Sequence, residues 1–67
     1  MKYILKDEYI ELYKLLKVLD LVDSGAEAKM VIADGHVRRN GDVELRKRAK
    51  IIRGDVIEVA EVTIEVL

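Results

Sequence analysis

The sequence predicts an α+β fold in which two short helices pack on a small, strongly bent antiparallel sheet. Three observations lead there. Apolar residues recur at three- and four-residue spacing between Tyr9 and Leu19, a capped helix start follows at Ser24, and beyond Gly35 the apolar period shortens to two. With 67 residues and neither a linker nor an internal repeat, the chain reads as one domain over 1–67.

The elements follow in order. "YILK" at 3–6 is a candidate first strand. From about Asp7, the residues Tyr9, Leu12, Tyr13, Leu16 and Leu19 line one face of an amphipathic helix. Asp7, Glu8 and Glu11 would sit near its start, where the helix dipole favours negative charge, with Lys14 and Lys17 toward its end. A connection of about four residues around Leu21–Asp23 leads to the second helix. There Ser24 and Glu27 form a capping box that satisfies orphan backbone donors. Ala28, Val31 and Ile32 supply its apolar face, and Gly35 a left-handed C-terminal cap.

The β half begins at "HVRRNGDVEL", where Asn40-Gly41 is a type I′ turn signal because both central residues need positive φ. Gly54-Asp55 marks a further turn, and Val56–Val59 and Val62–Val66 alternate as strands, with Glu58, Glu61 and Glu65 facing water. The link between those two strands, Ala60-Glu61, is poor turn chemistry.

Composition narrows the function. No cysteine is present, so the fold has neither disulfides nor a thiolate metal site, and its core must come from aliphatic residues. The apolar runs are far shorter than the roughly 20 residues a bilayer span needs. The opening "MKYILKDEYIE" turns acidic too soon for a signal peptide, which implies a cytoplasmic protein with no membrane partner. His36 stands without a second histidine or a cysteine, so no metal is expected, and no phosphate-cradling or dinucleotide glycine pattern occurs, so no cofactor is expected either. The carboxylates form no recognisable acid/base couple, and Ser24 is explained by its cap. The expectation is a protein that is not an enzyme.

What the chain does have is segregated charge. Residues 1–28 carry a formal charge of −2, residues 29–53 carry +5, and residues 54–67 carry −4, within a net charge of −1. Such segregation creates a local potential that the overall balance conceals. The basic set is Lys29, Arg38, Arg39, Arg46, Lys47, Arg48, Lys50 and Arg53. A hairpin and loop could project these cations onto a phosphate backbone, releasing counterions, and arginine's planar fork suits phosphate particularly well. Asn40 is a further candidate contact at the turn, although its commoner role is the left-handed conformation.

The order of helix, capped helix, glycine, basic strand, Asn-Gly turn, strand and "GDVIEV" resembles the small RNA-binding domain first described in the fourth protein of the small ribosomal subunit, the αL motif. The resemblance covers about residues 10–59, most specifically "SGAEAKMVIADGHVRRNGDVELRKRAKIIRGDVIEV", and is nearest to the stand-alone bacterial members of YbcJ/YaaA type. It implies a stand-alone RNA-binding module for structured RNA, ribosomal or transfer RNA, read by shape and backbone. Two departures shift the expected contact surface from the helices to the hairpin and loop. Many members begin the first helix with Arg-Leu-Asp, where this chain has Glu11-Leu12-Tyr13, and many follow the capping serine with arginine, where it has Gly25. Arg39 also replaces a usually apolar strand residue.

Other readings compete. A basic run is most often a solvated face. An adaptor docking its hairpin on an acidic protein partner, or on its own acidic strands in a dimer, is a second possibility, although a monomer is favoured. A DNA-binding helix-turn-helix is a third, but the second helix offers only Lys29 as a cation. Tyr3, Tyr9 and Tyr13 could stack on bases, but Tyr9 and Tyr13 fall on the apolar stripe of the first helix and are assigned to the core.

Overall fold

The computed structural model describes all residues from Met1 to Leu67. It contains strand β1 (Lys2–Tyr3), strand β2 (Ile10–Glu11), helix α1 (Leu12–Val18) and helix α2 (Gly25–Ala33). Five more strands follow: β3 (Val37–Arg39), β4 (Asp42–Val43), β5 (Lys50–Ile51), β6 (Val56–Val59) and β7 (Val62–Val66). The main sheet has the order β1-β7-β6-β3-β4, and β2 pairs with β5 in a separate two-stranded ladder. All pairings are antiparallel except β1 with β7, which is parallel. The sheet is therefore mixed at one edge.

The first helix differs most from expectation. It begins at Leu12, not near Asp7, because Ile10 and Glu11 are extended and pair with Ile51 and Lys50. Asp7 and Glu8 thus lie outside the helix, and no acidic residue occupies its first turn. The first strand also lies earlier than "YILK", at Lys2–Tyr3, where pairing with Glu65 and Val66 fixes it.

Both helices end in the same hydrogen-bond pattern. Leu21 N–H donates to Leu16 C=O and Asp20 N–H to Lys17 C=O; His36 N–H donates to Val31 C=O and Gly35 N–H to Ile32 C=O. These are Schellman motifs, each with a left-handed residue at its centre. Gly35 fills that position at φ 81°, and Asp20 fills it at φ 57°. At the start of α2, Ser24 Oγ accepts from Glu27 N–H at 3.1 Å, while the Glu27 carboxylate accepts from the backbone of Asp23. The box therefore closes one residue further out than its usual form.

The expected turns are present. Asn40 and Gly41 have φ of 52° and 91°, and Gly54 has φ 95°. Val59 pairs with Val62 across Ala60-Glu61, with Ala60 forced to φ 53°. Glu61 and Glu65 are exposed, while Glu58 is half-buried and lies opposite Arg38. The helices cover one sheet face: Leu12, Leu15, Leu16, Ala28 and Ile32 meet Val37, Ile57, Ile64 and Val66 in one core, closed at the side by Leu5, Ala49 and Ile51. Complete burial of each large aliphatic contributes about 1.5–3 kcal/mol, which is how so short a chain holds a fold without staples.

Candidate nucleic-acid interface

The basic segment after β4 has no regular structure of its own, yet it is fixed at both ends. Leu12 N–H donates to Ala49 C=O and Tyr13 N–H to Lys47 C=O, so the loop carbonyls cap the start of α1. The β2–β5 ladder then holds Lys50 beside Glu11. Ala49 is buried as the anchor, and Lys47, Arg48 and Lys50 around it are exposed.

Two buried carboxylates organise the arginines. Glu44 accepts from the Nε and Nη2 of Arg46 at 3.0 and 3.1 Å, and from the Arg46 backbone at 3.1 Å. Asp55 accepts from Arg39 Nη2 at 2.9 Å, Arg39 Nε at 3.1 Å, Asn40 Nδ2 at 2.9 Å and Ile52 N–H at 2.9 Å. Arg39 Nη2 also donates to Lys50 C=O at 2.8 Å, linking Asp55 to the basic loop. The Arg46 hydrogen bonds hold the Glu44 carboxyl below its ordinary range, against the opposing effect of burial. Burial alone would raise the Asp55 carboxyl, but the donors of Ile52, Asn40 and Arg39 outweigh it and leave it lowered.

The candidate residues therefore divide. Arg39, Arg46, Arg48 and Lys50, with Ala49, line an open concavity of about 350 Å³. Lys47 extends from the same loop, and Lys29 approaches Arg48 across Tyr13. No carboxylate lies within ion-pair distance of Lys29, Lys47 or Lys50. Arg48 is loosely paired with Glu11 at 3.7 Å and keeps a 64 % exposed side chain. Arg38 stands apart: its guanidinium donates to Gly41 C=O, and it lines a groove with His36 and Glu58. Arg53 is tied to the N-terminal segment through the carbonyls of Leu5 and Asp7. Asn40 commits both side-chain atoms internally, donating to Asp55 and accepting from Val56 N–H at 2.8 Å. Its side chain locks the hairpin to β6.

Some participants had no clear signal in the sequence. Tyr9 is 42 % exposed and Tyr13 half-buried, so neither is the fully enclosed core residue that the helical stripe suggested. Tyr13, at the start of α1, is joined to the basic loop through its N–H, which donates to Lys47 C=O. Its ring lies 5.1 Å from Lys29 Nζ and 5.8 Å from both Lys14 Nζ and the Arg48 guanidinium carbon. Lys50 Nζ lies 5.1 Å from the Tyr9 ring. Glu44 stands out in the sequence as an acid inside the basic stretch 38–53, whereas Asp55 belongs to the acidic C-terminal segment and carries no such signal.

Comparison with known proteins identifies the family and the fold. Residues 3–67 match the S4 domain family. The chain is 42 % identical over 62 residues to YbcJ of Escherichia coli strain K12, covering 92 % of this chain and 89 % of YbcJ. The solution structure of E. coli YbcJ, described as revealing an αL motif involved in RNA-binding, superposes with a TM-score of 0.75 at 40 % identity, over 98 % of this chain and 85 % of that one. The 30S ribosomal protein S4e of Thermoplasma acidophilum superposes with a TM-score of 0.71 at 29 % identity, over 87 % of this chain and 31 % of the longer protein. A match across nearly the whole length, in sequence and in fold, leads to one conclusion: this chain belongs to the S4 domain family.

Proposed function

We propose that this chain is a stand-alone, non-catalytic RNA-binding protein that grips structured RNA, ribosomal or transfer RNA, through the loop from Arg46 to Lys50 and the adjoining Lys29. The observation that carries the reading is the anchored basic loop. Its backbone is bound to α1 and β2, while Lys47, Arg48 and Lys50 project into solvent. A rigid display of cations binds phosphate with less ordering cost than a flexible tail. Arg39 and Arg46 shape the concavity, but much of their charge is already matched by Asp55 and Glu44. Arg38, Asn40 and Arg53 serve the fold first. The αL motif of YbcJ is described as involved in RNA-binding, which supports the same reading here.

The chain acts as a cytoplasmic monomer in this proposal. Its test is a competition in which a labelled, folded RNA such as a transfer RNA is displaced by unlabelled folded RNA, duplex DNA or unstructured single-stranded RNA. Displacement at the lowest concentration by folded RNA is expected, since a wide A-form minor groove displays shape and 2′-hydroxyls. Equal displacement by duplex DNA would reduce the activity to charge attraction alone.

A further inference from the structure

Tyr13 packs against the core yet stays partly exposed, and Gly25 lies beside its ring. Gly25 opens α2 without positive φ, so its backbone does not require glycine. A Cβ built there would meet only the edge of Tyr13, at an ordinary contact distance of 3.9 Å. Alanine would therefore fit and would favour the helix. What glycine provides is open space beside the tyrosine ring, since any longer side chain would lie against it. Around that opening stand Lys29, Lys14 and Arg48, each within 6 Å of the ring centre. The Glu11 carboxylate is engaged by Lys14 at 3.1 Å and by Arg48 at 3.7 Å, and the Glu27 carboxylate by the Asp23 backbone.

A half-buried aromatic ring with three cations around its open part matches a nucleotide: a planar base for the ring and phosphates for the ammonium and guanidinium groups. We propose that Tyr13 is the platform for one unpaired base of the bound RNA, admitted by the space at Gly25, with Lys29 and Arg48 taking the phosphates beside it. The inference rests on the RNA-binding reading and adds a preference to it. Bases inside a duplex are stacked on one another and unavailable, so only a bulged, looped or terminal base can reach the ring. A stacked base interacts more strongly with an aromatic ring than an exposed cation does, so the cations yield the ring face and move to the phosphates. Shape recognition by the basic loop and capture of one base by Tyr13 are then separate contributions.

The test compares two RNA hairpins of the same sequence, one fully paired and one carrying a single bulged adenosine. Affinities are measured by fluorescence anisotropy for the wild type and for Tyr13→Phe, Tyr13→Leu and Gly25→Met. The wild type is expected to bind the bulged hairpin about tenfold more tightly, and Tyr13→Phe to retain that preference. Tyr13→Leu and Gly25→Met are expected to abolish it while leaving affinity for the paired hairpin within about twofold. Gly25→Met leaves the tyrosine and every charge in place, so a folding defect in Tyr13→Leu would not decide the matter. Equal wild-type affinity for the two hairpins, or a preference that survives both substitutions, overturns the inference and leaves the RNA-binding reading intact. Failure to bind either hairpin overturns that reading and the inference with it.

Discussion

Replacing Asp55 with alanine tests how the basic loop is held. The Asp55 side chain is 8 % exposed and collects donors from three residues: Arg39, Asn40 and Ile52. Asp55→Ala strands the Ile52 amide and the Asn40 amide group, and leaves the Arg39 guanidinium with only Lys50 C=O and a distant Glu44 at 3.8 Å. Breaking a buried ion pair from one side costs about 3–5 kcal/mol. The Arg39 side chain is 22 % exposed and recovers some hydration, so about 2–4 kcal/mol is expected here. A chain of 67 residues has a total stability of about 3–10 kcal/mol, and each kcal/mol moves the midpoint by about 4–8 °C. The predicted loss in Tm is therefore about 8–32 °C, read by circular dichroism at pH 7. Asp55→Asn, which keeps the shape and one acceptor, should lose about half as much. A Tm for Asp55→Ala within about 3 °C of wild type would refute the claim that this network fastens the loop.

Three further outcomes follow from the same geometry. Ser24→Ala removes the cap on Glu27 N–H and should cost about 1 kcal/mol in a urea titration, with no change in slope. Ala60 is held at φ 53°, which glycine adopts without penalty, so Ala60→Gly should raise stability by about 1 kcal/mol and Tm by about 4–8 °C. Asp55 and Glu44 both have lowered carboxyl pKa values in the folded protein. Their contribution is complete above the unfolded carboxylate range near pH 4 and is lost as pH falls through the lower folded values. Acid titration at constant ionic strength should therefore show stability declining below about pH 4, with a shallower decline in Asp55→Asn.

Local chemistry made much of the fold legible. The Ser24–Glu27 pair, Gly35 and Asn40-Gly41 each specify backbone geometry within a few residues, and the structure forms each, with Glu27 reaching back to Asp23 N–H instead of Ser24 N–H. The period-two strands at 56–59 and 62–66 also match, and their pairing is strong enough to impose a left-handed conformation on Ala60. The misreadings came from long-range partners. The helical stripe from Tyr9 to Leu19 hid the fact that Ile10 and Glu11 pair with a strand forty residues away, which delays the helix. Counting cations found the basic region but could not separate Arg39 and Arg46, matched by buried carboxylates, from Lys47 and Lys50, which have none. Asn40 invited both readings, and only the positions of Asp55 and Val56 reveal that its side chain is occupied.

The most direct test of the central claim is the salt dependence of binding to a folded RNA, for the wild type and a Lys47/Arg48/Lys50→Glu variant. Arg46 is left in place because its partner is the buried Glu44, and changing it would confuse folding with binding. With Lys29, Lys47, Arg48 and Lys50 neutralising about four phosphates, log affinity should fall against log salt with a slope of about −3 to −4. The variant, shown to be folded by its circular dichroism, should lose at least about 100-fold in affinity at low salt and nearly all of that slope. A folded variant that binds like the wild type, with the same slope, would contradict the account and place the RNA surface elsewhere on the domain.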